Sequence, residues 1–227
     1  MPQLIVIADD HPLFREALKL AVTQALPGAK VAEADSVASL FATLEAQLDV
    51  ELLLLDLNMP GAQGFSALVQ ARAHYPAVPV IVISGREDAN IVARTVAHGA
   101  AGFVPKSAPI TAIVAALRTV LQGGIWTPPG SQPALLASGD GPGLEQGEED
   151  AAQKIAKLTP QQFRVLSMLC AGLLNKQIAA ELGVTEATVK AHMTAIMEKL
   201  GASNRTQAVL LAQRLALDQT ERASDLD

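Results

Sequence analysis

Five residues of this chain have types and spacing that could do chemistry together: Asp9, Asp10, Asp56, Ser84 and Lys106. Each stands at or just past the C-terminal end of a short apolar run: LIVIA before the acidic pair, ELLLLD closing on Asp56, VPVIVIS closing on Ser84, and AGFV before Lys106. Singly, such residues are ordinary turn or helix caps. Brought together, three carboxylates repel unless a cation sits among them, and an all-oxygen donor set favours a hard one, most simply Mg²⁺ keeping several waters. A lysine and a hydroxyl opposite the carboxylates suit a phosphoryl group. A carboxylate is a competent nucleophile for forming an acyl phosphate, with the metal and the lysine neutralising charge on the transferring group. Magnesium prefers oxygen to imidazole, so His11 is read as a helix-start residue and His74 and His98 as surface residues.

The elements that must position these groups are legible from periodicity. Five β-type runs, at 4–8, 30–34, 51–56, 78–84 and 101–104, alternate with amphipathic helical stretches, the last about Ile110 to Leu121 and stopped by Gly123 and Gly124. The third and fourth runs are almost continuously apolar, as strands covered on both faces of a parallel sheet must be. The expected fold is α/β, a doubly wound five-stranded parallel sheet. In such a sheet, ligands bind at the carboxyl ends of the strands where the strand order switches, which places all five polar residues on one edge.

The segments IADDHPLFREAL, LLLLDLNMPG, VIVIS and GFVPK, in this order and spacing, resemble the receiver domain of two-component response regulators, with its flavodoxin-like fold. The resemblance implies that Asp56 is the phosphoacceptor, and that Asp9, Asp10, Asp56 and the backbone carbonyl of Asn58 hold Mg²⁺. It further implies that Lys106 pairs with the phosphoryl oxygens, that Ser84 moves its hydroxyl to the phosphoryl group, and that Phe103 follows it inward as a switch. A sensor histidine kinase is the implied phosphodonor.

Residues 125–156 read as a tether, an acidic stretch rich in Gly and Pro. Its GPGLEQG follows no strand and lacks the spacing of a phosphate-binding loop. An acidic tether beside a basic domain is also a candidate competitor for the basic face.

From 157 to 218 the chain reads as a small all-α domain of four helices, followed by a tail at 219–227. Thr159 and Pro160 start the first helix, Gly183 ends the second, and the third runs from Glu186 to Gly201 behind the cap Thr185; the fourth spans about Arg205 to Leu217. A helix, a short turn and a second helix make a helix-turn-helix. Apolar residues at 189, 193, 196 and 200 form one stripe of the third helix, and Ala187, Lys190, Ala191 and Thr194 lie opposite it. That small, polar, basic face can enter a major groove. Lys176, His192, Lys199 and Arg205 are candidates for backbone contacts that weaken with salt. No aromatic platform for single strands is present.

LTPQQFRVLSMLCAGLLNKQIAAELGVTEATVKAHMTAIMEKLGASNRTQAVLLA is similar to the LuxR-type, or NarL/FixJ-type, helix-turn-helix, which implies double-stranded DNA as partner, a homodimer on activation through about Thr206 to Leu215, and RNA polymerase as a further partner. Gln161, Gln162 and Leu174 depart from the family pattern. Leu174 replaces a capping hydroxyl, for which Asn175 is the substitute within reach. The combined reading is a transcription regulator whose unphosphorylated receiver masks the DNA-binding domain or holds it unpaired. Two other readings are kept: a receiver-controlled interaction module that no longer reads DNA, and an aspartyl-phosphate phosphohydrolase. The latter would need D-x-D after the first strand, where this chain has adjacent Asp9 and Asp10.

Composition sharpens this. The 227 residues carry a formal net charge of −6, and a pI near 5.2 spread evenly would argue against nucleic acid. The charge is uneven: 1–125 holds 8 basic and 11 acidic residues, 126–150 holds 0 and 5, and 151–227 holds 9 and 7. Only the last segment is net basic. With 50% hydrophobic residues and a mean hydropathy of +0.28, the material for packed cores is present. The lone Cys170 forms no internal disulfide and reads as a small buried hydrophobe. No apolar run reaches membrane-spanning length, so no membrane partner is expected and a reducing cytoplasm fits.

Overall fold

A computed structural model describes residues 3–47, 49–131 and 146–215 of the chain. The glycine run at 141–145 and the tail at 219–227 lie outside them. Strands β1 (Leu4–Ala8), β2 (Lys30–Ala34), β3 (Val50–Asp56), β4 (Val80–Ser84) and β5 (Gly102–Pro105) form one parallel sheet of order β2-β1-β3-β4-β5. The chain leaves β1 outward to β2 and returns on the other side at β3, so the switch in strand order lies between β1 and β3. Asp9 and Asp56 stand at that crevice.

Alternation along the strands divides two cores, as successive side chains face opposite sides of a sheet. Ile5, Ile7, Leu52, Leu54, Ile81 and Ile83 pack under α1 (Pro12–Ala25) and α5 (Ile110–Leu121). Val6, Leu53, Leu55, Val80 and Val82 pack on the opposite face, with α2 (Val37–Ala46), α3 (Ser66–His74) and α4 (Ala89–Ala97). The edge of β5 is extended by Trp126, whose N–H donates to Ala101 and whose carbonyl accepts from Phe103. The chain beyond 124 is therefore still part of the sheet edge. Gly102 permits this approach, since a Cβ there would stand 3.2 Å from the Trp126 carbonyl oxygen.

The tether is not featureless. Its last part is α6 (Gln146–Ala156), a helix expected from neither its glycine nor its charge. Ala151, Ile155 and Leu158, spaced four and three apart, bury one stripe in the core that begins on the sheet. Tertiary packing of that stripe, not intrinsic propensity, stabilises a helix this short. The helical domain follows as α7 (Pro160–Cys170), α8 (Asn175–Leu182), α9 (Glu186–Leu200) and α10 (Arg205–Gln213). A reciprocal cap starts α7: Thr159 Oγ1 accepts from Gln162 N–H, and Gln162 Oε1 accepts from Thr159 N–H. The expected cap at Asn175 does not form. Leu174 occupies the cap position, and its N–H donates instead to Gln177 Oε1 at 2.8 Å. Gly183, at φ +65°, makes the left-handed turn between α8 and α9 that a side chain would strain.

The two domains share an interface. Phe163 of α7 meets the edge of the Phe41 ring of α2 at 5.2 Å between centroids, a geometry worth about 0.5–1.5 kcal/mol beyond burial. The Leu158 carbonyl accepts from Gln70 Nε2 and contacts His74 Nε2. His74 is thus an interface residue and not a free surface one. Among the described residues no helix is long and apolar enough to cross a membrane.

Candidate functional site

The sheet edge gathers the predicted residues because each follows a strand of fixed register. Asp56 pairs with Ile83 across β3 and β4, Ser84 pairs with Pro105 across β4 and β5, and the N–H of Lys106 donates to the Ser84 carbonyl at 2.7 Å. Asp9, Asp56 and Ser84 are fully buried. Lys106 Nζ lies 2.8 Å from Asp9 Oδ2 and 2.8 Å from Asp56 Oδ2, bridging the two strands. The Asn58 N–H donates to Asp56 Oδ1 at 3.1 Å, folding the loop after β3 back over the carboxylate. Ser84 Oγ accepts from the Arg86 N–H. Phe103 is fully buried and pairs with Val82 across β4 and β5.

His11, set aside from sequence, joins the group. Its Nδ1 lies 2.7 Å from Asp10 Oδ1 and 3.2 Å from Asp9 Oδ1. Ligand atoms of Asp9, Asp10, His11 and Asp56 all fall within 4.8 Å of one another. The signal was there in the adjacency: Pro12 starts α1, which makes His11 the residue that turns back over the acidic pair.

Charge at the site is unbalanced. Burial pushes the Asp56 carboxyl above the ordinary carboxylate range, against the opposing pull of Lys106 and the Asn58 N–H. For Lys106, burial acts to lower the pKa, but the hydrogen bonds and charges of Asp56 and Asp9 together outweigh it and hold the ammonium above its usual value. Asp9 Oδ2 and Asp10 Oδ1 are buried, and their contacts are the pairs with Lys106 and His11. Three carboxylates facing one lysine fit a hard divalent cation.

On α9 the expected division holds: Val189, Met193, Ile196 and Leu200 are buried, and Ala187, Lys190, Ala191 and Thr194 are exposed. Lys176 is exposed as well, and His192 is half-buried. Two of the candidate cations are turned to the protein. Lys199 Nζ donates to the Lys157 carbonyl and to Gln162 Oε1, and Arg205 Nη2 donates to the Leu173 carbonyl at 2.8 Å. Both tie elements of the helical domain together, which counting charge along a sequence does not reveal. Cys170 sits in the same core, where burial pushes its thiol up to about 12. Under native conditions near neutral pH a disulfide reagent should leave Cys170 unlabelled and react with it only on unfolding, because the thiolate is the nucleophile. Rapid native labelling would contradict that placement.

Comparison with known proteins agrees with this geometry. Residues 5–118 match the response regulator receiver domain, and 156–212 match the luxR family of bacterial regulatory proteins. The chain is 38% identical to a glycerol metabolism activator of Pseudomonas putida over 92% of this chain and 94% of that one. It is 34% identical to a probable transcriptional regulatory protein NarL of Mycobacterium tuberculosis over 94% of each. Salmonella enterica serovar Typhimurium RcsB, solved bound to promoter DNA with the phosphomimetic BeF3⁻, shares the fold at TM-score 0.55 and 24% identity, covering 95% of this chain and 100% of that one. The chain therefore belongs to the response regulators that join a receiver to a LuxR-type helix-turn-helix, and is a transcriptional response regulator.

Proposed function

We propose that phosphorylation of Asp56 controls dimerisation and sequence-specific DNA binding by this chain. The observation that carries the reading is the Lys106 ammonium held 2.8 Å from both Asp9 and Asp56 at the switch point of the sheet. The donor is a sensor histidine kinase. An Asp56 oxygen forms the new P–O bond as the P–N bond of the donor phosphohistidine breaks, and the departing imidazole nitrogen takes a proton. Asp9, Asp10, Asp56 and the Asn58 carbonyl would hold Mg²⁺, which when bound supplies positive charge against the phosphoryl oxygens. Lys106 bridges from the other side, Asn58 N–H orients the nucleophile, and Ser84 is one strand away to bond the added group, with buried Phe103 on the next strand as the aromatic that would follow it.

At the other end, Lys190, Ala191 and Thr194 would read base edges in the major groove while Lys176 and His192 meet phosphates. Pairing through α10 would present two reading helices to two half-sites, and RNA polymerase would respond to the bound dimer.

A small acyl phosphodonor tests the chemistry. With Mg²⁺ the intact protein gains one phosphoryl mass, and chelating the metal abolishes the gain. Equal labelling with and without Mg²⁺ would contradict the proposed cation site.

A further inference from the structure

One contact stands out in the described part of the tether. Glu148 of α6 is 7% exposed, although its neighbours Glu149 and Asp150 are exposed. Its Oε1 accepts from Arg94 Nη2 at 2.9 Å, from Arg94 Nε at 3.1 Å and from His98 Nε2 at 2.7 Å, all from α4 and the residue that ends it. Arg94 is itself stacked 4.8 Å over the Phe65 ring, and His98 lies against the same ring. Burial holds His98 below its usual pKa, against the opposing pull of Glu148. The described part of the acidic tether therefore engages the receiver, and the expected competition for the basic face is not what it does there.

We infer that Glu148 is a latch that clasps α4 and so holds the helix-turn-helix domain on its own receiver, while leaving the DNA-reading face of α9 uncovered. Ala187, Lys190, Ala191 and Thr194 stay exposed in the docked chain, so masking of those residues is not how docking restrains it. The restraint falls on pairing. The turn that follows α10 is anchored to the receiver, where the Leu215 carbonyl accepts from the Phe65 N–H at 2.9 Å. The docking contacts also belong to the elements that leave the phosphoryl edge. The loop after β3 brings Gly61 against Ser167 of α7, where a Cβ at Gly61 would stand 3.1 Å from the Ser167 Cβ. The helix after β4 is α4, which carries Arg94. A change at Asp56 or Ser84 thus reaches the latch through one loop on each side.

This inference rests on the proposed control of DNA binding for its consequence but not for the docking itself, and the test separates the two. The full chain, without phosphodonor, is measured by small-angle scattering and by binding to a two-half-site duplex, as wild type, Glu148→Ala and Arg94→Met. Both variants should be more extended than wild type and bind the duplex on the order of tenfold tighter, since more of the population is competent to pair. The two substitutions lie in different helices, so a local folding defect in one does not produce both results. Variants as compact as wild type would overturn the latch whatever Asp56 does. Extended variants with unchanged affinity would overturn the restraint. If no form of the chain binds any duplex, the proposed function has failed, and the scattering still decides whether Glu148 holds the domains together.

Discussion

Asp56→Asn should leave the chain folded and unable to take up a phosphoryl group from any donor. The amide lacks the nucleophilic oxygen charge, and no other carboxylate at the site stands where Asp56 does, between the Asn58 N–H and the Lys106 ammonium. Asp9 is equally buried, but it belongs to β1's end and already holds both Lys106 and the His11 N–H. Intact-mass measurement after incubation with an acyl phosphate and Mg²⁺ checks this: one added phosphoryl in wild type, none in the variant. Lys106→Ala, which removes the positive partner of the transferring oxygens, should slow labelling on the order of 10²-fold without abolishing it. Undiminished labelling of Asp56→Asn would show that the acceptor is elsewhere and that the strand-end cluster serves another purpose.

The second large effect is expected on α9. Lys190→Ala should weaken binding to the selected duplex by about 1–3 kcal/mol, roughly 5- to 150-fold, if its ammonium reaches a base edge. Lys199→Ala offers the contrast. Its ammonium is already bound to the Lys157 carbonyl and Gln162 Oε1, so the loss should be in thermal stability of the helical domain, with little change in affinity or in its salt dependence. Titrations of both variants at two salt concentrations, beside thermal melts, distinguish the roles. A Lys199 variant that melts normally but loses DNA would reverse the assignment.

Much of this was legible in the sequence because it follows from period and position. A strand that ends on an acid puts that acid at the sheet edge, which is why Asp9, Asp56, Ser84 and Lys106 could be gathered before any coordinates. The buried stripe of α9 follows from a 4, 3, 4 spacing in the same way. What failed to show were features decided by tertiary contact. Helix α6 is rich in acid and glycine, and only its packing on α3 reveals that Ala151 and Ile155 form a stripe. His98 and Glu148 carry no local sign that they meet fifty residues apart. Lys199 and Arg205 look like any surface cations until their carbonyl partners are seen. His11 does stand at the helix start, as its place before Pro12 implies, and from there its imidazole also reaches Asp9 and Asp10.

The central claim is that a phosphoryl group on Asp56 changes what the helix-turn-helix does. The most direct measurement is the affinity of the full chain for a duplex selected from genomic DNA, with and without acyl phosphodonor and Mg²⁺, in wild type and in Asp56→Asn. The wild type should bind more tightly, as a dimer, on phosphorylation, and the variant should not respond. Equal affinity in all four conditions, or an equal response of both proteins to the phosphodonor, would contradict it.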